Sequence, residues 1–199
     1  MLRIIGLDHS VQTRSPGSTL NEGQQAFASC LQKTIKEVQP VLIAEEHSEA
    51  VLKELGKVSI AKEIAGECIE HRFCDPTPKQ RKVLGYKGSR DIEIEMSMQS
   101  KWDGTERRRD ACAIEIGRYF PIRERFWLNC LNVKQCRSNE VIFVCGALHI
   151  ESHSFTKLLE ENAIPYTVVE RYIGVAQDEP YYLALEYLKK HPEVLDAPF

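Results

Sequence analysis

Apolar positions follow two rhythms along this chain. Leu2–Ile5, Val41–Ala44 and Val141–Cys145 are short, nearly unbroken runs rich in Val, Ile and Leu. Such runs suit strands covered on both faces, as in a parallel sheet. Cys68–Phe73 is a weaker strand, with Ile69, His71 and Phe73 alternating against Glu67, Glu70 and Arg72, and Pro165–Glu170 is a further one. The second rhythm is helical. Leu20, Phe27, Leu31 and Ile35 form one stripe from about Leu20 to Val38, where Gln39-Pro40 ends it.

Shorter helices are expected over Glu49–Leu55, with Ser48 as cap and Gly56 as stop, and over Ile60–Ala65, between Ser59 and Gly66. Cys74-Asp75-Pro76-Thr77-Pro78 opens a short helix to about Leu84. Helical composition returns at Ser89–Ser100 and Glu106–Tyr119, where Pro121 should interrupt it before Ile122–Leu131. It returns again from Leu148 to Asn162 and over Tyr181–Lys190. Strands alternating with helices predict an α/β fold, a mostly parallel central sheet flanked by helices. The segment from about 85 to 131 reads as a helical cap insertion within one domain spanning 1–199.

Composition narrows the class. At 199 residues, 43% hydrophobic and 28% charged, the chain can bury one sizeable core. A formal net charge of −3 gives no overall electrostatic argument for nucleic acid or an anionic membrane, and neither is expected as a partner. Arg107-Arg108-Arg109 stands between Glu106 and Asp110 without interleaved aromatics and reads as a solvated face. No apolar stretch approaches the ~20 residues of a membrane helix, and the apolar start is too short for a signal peptide. The seven cysteines include no Cys-x-x-Cys and read as buried free thiols of a cytoplasmic protein.

Candidate chemistry gathers at strand ends. Gly146-Ala147-Leu148-His149 follows one apolar run and Gly6-Leu7-Asp8-His9 follows another, so a Gly-x-x-His spacing occurs twice. Val41–Ala44 ends in Glu45-Glu46-His47, and Glu45, the first polar residue after the run, is preferred to Glu46. In a parallel sheet these ends share one edge, the edge at which open α/β sheets bind ligands. Two imidazoles with a carboxylate suit a divalent ion such as Mn, Co, Fe or Zn, held by His9, Glu45 and His149. The ion would lower the pKa of a bound water.

Arg123-Glu124-Arg125 could supply a base and a cation, or simply a solvated helix face. His149 and His153, four apart, would share a helix face, with His153 a surface residue. His47 and His71 read as bystanders, and Asp75 as a turn residue or a support behind the site. No P-loop, Gly-x-Gly-x-x-Gly, nucleophile-elbow serine or His-Glu-x-x-His is present.

In order, Gly6-x-x-His9, a strand ending in Glu45, Glu124-Arg125 before aromatics, and strand–Gly146-x-x-His149 resemble the TraB/Tiki/ChaN/erythromycin-esterase superfamily. The resemblance implies an α/β fold and a hydrolytic site of His9, His149, Glu45 and Arg125, with Glu124 beside it. Its members include metal-dependent peptidases, lactone-opening esterases without an obvious metal, and a haem-binding protein. This chain carries Ser152 where many TraB members have Gly, and it has no membrane segment.

The resulting expectation is a cytoplasmic metal-dependent hydrolase that cleaves an amide or ester bond in a small-molecule or peptide substrate. His9, Glu45 and His149 would hold the metal, or His9 would act as base without one. Glu124 would be a ligand or base, and Arg125 would hold substrate or the oxyanion. The rivals are a haem or small-molecule carrier and an interaction protein with structural histidines.

Overall fold

The computed structural model describes residues 1–98, 104–174 and 180–196. The chain opens with β1 (Leu2–Leu7), a 3-10 turn (His9–Val11), β2 (Thr13–Arg14) and α1 (Glu22–Val38). It continues through β3 (Leu42–Glu45), α2 (Glu49–Glu54), β4 (Val58–Ser59), α3 (Ile60–Ala65) and β5 (Glu70–Phe73). Next come α4 (Pro78–Val83), α5 (Ser89–Ser97), α6 (Gly104–Ile114), a π-helical turn (Glu115–Tyr119), α7 (Phe120–Leu131) and α8 (Val133–Ser138). The last elements are β6 (Val141–Gly146), α9 (Ala147–Glu151), α10 (Ser154–Glu161), β7 (Tyr166–Ile173), α11 (Pro180–Lys190) and a 3-10 turn (Pro192–Asp196). The end of the helix expected over 89–100 falls partly outside the described residues. No described helix is long and apolar enough to cross a membrane.

The chain divides into two compact units, 1–77 with 125–175 and 78–124 with 176–199. The first is the α/β body. Its five strands run parallel in the order β5-β3-β6-β1-β7. The unbroken apolar runs follow from burial on both faces. Leu2, Ile4, Leu42, Ala44, Val141, Phe143 and Cys145 face a core closed by Trp127, Leu131, Phe155 and Leu159. Ile5, Leu7, Ile43, Ile142 and Val144 face the opposite core, closed by Phe27, Leu31, Ile60 and Ala65.

Because β6 enters late, between β3 and β1, strands adjacent in sequence stand apart there. This is a topological switch point, and such crevices at carboxyl ends take ligands. Helix α1 begins at Asn21, whose side chain and that of Gln24 cap each other's backbone N–H.

The second unit is helical, with α11 packed on α6. Its polar centre is the buried Glu115 carboxylate, which accepts from Tyr86 Oη, from Ser89 N at 2.6 Å and from Tyr181 Oη at 2.7 Å. Burial raises the pKa of both phenols.

As expected near Pro121, the α-helical stretch is interrupted: a π turn over Glu115–Tyr119 separates α6 from α7, and the proline falls in the first turn of α7. One helix boundary differs from expectation. The helix expected from 148 to 162 is two helices, because His153 adopts a left-handed φ of 59° and caps α10. His149 and His153 therefore do not share a helical face.

Candidate functional site

The carboxyl ends of β1, β6 and β3 deliver polar side chains to one edge of the sheet. After β1 the backbone stays extended at Asp8, whose carboxylate accepts from Ser10 N at 2.7 Å and caps the 3-10 turn. His9 opens that turn with 47% of its side chain exposed. After β3, Glu46 N bonds Val144 O at 2.8 Å, carrying the ladder one residue past the strand. After β6 the chain turns straight into α9, and His149 is 2% exposed.

The carboxylate joining the two histidines is Glu46. It is 1% exposed, and its Oε2 accepts from Gly146 N at 2.7 Å. Its Oε1 lies 3.4 Å from His9 Nε2 and 3.4 Å from His149 Nε2. A buried carboxylate is costly unless hydrogen bonds or a neighbouring cation stabilise its charge, and here an amide and two imidazoles stand round it. Gly146 also makes room. A Cβ there would sit 2.9 Å from His9 Nε2 and 3.3 Å from His9 Cε1.

Glu45 is fully buried, but the histidines of the two Gly-x-x-His motifs are not its partners. Its Oε2 accepts from Gln12 Nε2 at 2.9 Å, and its Oε1 lies 2.8 Å from His71 Nε2. The cause is the period of two along a strand. Glu45 points to the Ile43 side of the sheet, where His71 also points, while Glu46 is the first residue past the strand. Gln12 Oε1 in turn lies 3.2 Å from His9 Nδ1.

Other expected residues stand as follows. Trp127 packs its ring edge-on against His149 at 4.4 Å between centroids and gives its indole N–H to Asp75 at 3.2 Å. Asp75 thus supports the residue that packs on His149. The His47 ring centroid is 5.9 Å from that of His9. Burial holds the His47 pKa below the usual value, against the upward pull of Glu45, Glu46 and Asp75. Arg125 is exposed on α7, and Glu124 is fully buried and belongs to the second unit.

Sequence reasoning passed over Gln12 and set His71 aside. For His71 the signal was present, since the alternation of Ile69, His71 and Phe73 already put it on an inward face. A buried glutamine leaves no such mark.

A metal needs several donors aimed at one point. His9, Glu45 and His149 do not supply this, because both Glu45 oxygens are engaged by Gln12 and His71. Among the described residues, no group of three or more His, Cys, Asp and Glu side chains is arranged to hold a metal ion.

Comparison of the chain with protein-family models, curated proteins and solved structures finds no match.

Proposed function

We propose that the chain is a hydrolase of esters or amides in which His9 and Glu46 activate water by general acid–base chemistry. The observation that carries this reading is the buried Glu46 carboxylate, 3.4 Å from Nε2 of both His9 and His149. A general base needs exposure to its substrate and a partner for the charge it acquires. His9 has the exposure, and Glu46 is the partner.

In this reading His9 Nε2 takes a proton from water as the oxygen attacks the carbonyl carbon. The imidazolium is held by Glu46 and returns the proton to the leaving oxygen or nitrogen. His149, packed edge-on against Trp127, stands at the same carboxylate oxygen, and Gly146 N holds the other. Arg125 is assigned the oxyanion or an anionic substrate group, as the resemblance implies. No step is routed through a metal, because both oxygens of Glu45, the carboxylate expected in the triad, are engaged by Gln12 and His71.

The test is a panel of aryl esters, lactones and peptide amides incubated with chelator-treated protein and with Glu46→Gln. Turnover that survives chelation and collapses in Glu46→Gln supports the reading. No turnover of any panel member by the unmutated protein overturns it, as does turnover that Glu46→Gln leaves intact. Turnover lost on chelation and restored by Mn, Co, Fe or Zn would replace the metal-free form with the metal-dependent one.

A further inference from the structure

Gln12 is fully buried yet has no place in the proposed reaction. Its backbone is fixed at both ends. Its N–H bonds His9 O at 3.3 Å, closing the turn that carries His9, and its carbonyl accepts from Ile60 N at 3.1 Å. Its side-chain amide bridges Glu45 Oε2 at 2.9 Å and His9 Nδ1 at 3.2 Å. Behind it, Glu45 Oε1 meets His71 Nε2 at 2.8 Å, with the His71 side chain 7% exposed. The chain His71–Glu45–Gln12–His9 therefore runs from the interior to the half-exposed imidazole.

We propose that Gln12, oriented by Glu45, is a positioning residue that locks His9 as the Nδ1–H tautomer and leaves Nε2 as its basic atom. An ionised carboxylate only accepts hydrogen bonds, so Gln12 must turn its NH2 toward Glu45. Its amide oxygen then faces His9. That oxygen is also only an acceptor, so Nδ1 must carry the hydrogen. Flipping the amide would set its oxygen against a carboxylate oxygen in a fully buried place, leaving both without a donor. The other ring nitrogen, Nε2, then presents its lone pair 3.4 Å from Glu46 Oε1. A proton taken up at Nε2 during reaction lies within reach of that carboxylate, which can hold the imidazolium. The use of this lock in catalysis rests on the hydrolytic reading above, whereas the tautomer itself does not.

The experiment is NMR of the full chain carrying 15N-labelled histidine, at a pH high enough that His9 is neutral. Two-bond 1H–15N correlations distinguish the tautomers. The expected result is a pyridine-type Nε2 and a pyrrole-type Nδ1 for His9, and a shift toward the Nε2–H form preferred by free imidazole in Gln12→Met. Glu45→Gln, which keeps the shape but removes the acceptor-only partner, should relax the lock in the same direction.

On an ester that the unmutated protein turns over, Gln12→Met should lower kcat by ~10²-fold or more at nearly constant KM, the direction a misplaced tautomer takes in a general-base site. His9 found as the Nε2–H form in the unmutated protein overturns the proposal, as does a tautomer unmoved by Gln12→Met. Absence of turnover by the unmutated protein counts against the hydrolytic reading alone, since the tautomer is read without substrate.

Discussion

Gly6–His9 and Gly146–His149 share a spacing, and the two stretches end in different environments. Beyond Gly6 the chain leaves β1 through the Asp8 cap and shows half of His9 to solvent. Beyond Gly146 it enters α9 at once and seals His149 against Trp127. Their glycines differ in the same way. A Cβ on Gly6 would lie 2.7 Å from the Arg171 carbonyl oxygen and 2.7 Å from Ile150 Cδ1, whereas one on Gly146 would meet the His9 ring. Each glycine therefore makes room for the other motif: Gly146 seats His9, and Gly6 seats the neighbour of His149. The spacing repeats because two adjacent parallel strands, in register at Leu7 and Gly146, must interlock where they end.

Glu46 is the group the two motifs share, so removing its charge should separate them most. In Glu46→Gln the Gly146 N–H keeps an acceptor, but no anion remains to hold an imidazolium. We expect kcat to fall by about 10²–10⁴-fold, the usual contribution of acid–base catalysis. Circular dichroism should show the fold retained.

Gly146→Ala tests the seat of His9. The obstructing atoms belong to a half-exposed side chain that can swing aside, so the melting temperature should move little. A displacement of His9 by an ångström or so should still cost about 10²-fold in kcat. Gly6→Ala should show the opposite balance. One obstructing atom there is the backbone oxygen of Arg171 in β7, which can yield only by deforming the strand. Overpacking of this kind costs about 1–3 kcal/mol, readable as a lowered denaturant midpoint. If the two alanine variants behaved alike, the interlocking of the motifs would be wrong.

The same contrast marks how far the sequence could be read. Runs such as Val141–Cys145 announced buried strands because burial on both faces demands unbroken apolar residues, and the parallel sheet followed. The edge where His9 and His149 meet was legible for the same reason. The choice between Glu45 and Glu46 was not, because both adjoin the run and only the pairing of β3 with β6 and β5 decides which side each faces. Gln12 was invisible, since its role depends on Glu45, thirty-three residues away. The break at His153 was missed because the apolar spacing continues across it, whereas the left-handed φ there is a local backbone choice without a glycine to signal it. The company of α11 with α6 is likewise a long-range outcome with no local sign.

His47 offers the smallest effect and the finest probe of the difference between exposed and sealed imidazoles. It follows Glu46 directly, yet its Nε2 is buried and has no hydrogen-bond partner among the described residues. Burial favours its neutral form and lowers its pKa in the folded chain. In the unfolded chain it titrates near the ordinary value of about 6.5. Between that value and the lower folded one, the unfolded state binds more protons, so stability falls as pH falls. The His47 contribution is thus fully present above about pH 6.5 and is lost below it. His47→Gln removes the titrating group, so the stability of the unmutated protein relative to this variant should decline on acidification from pH 7 to pH 5. Urea unfolding of both proteins across that range measures the difference. A flat difference would mean that His47 is as open to solvent as His9, and a rising one that Glu45, Glu46 and Asp75 outweigh its burial.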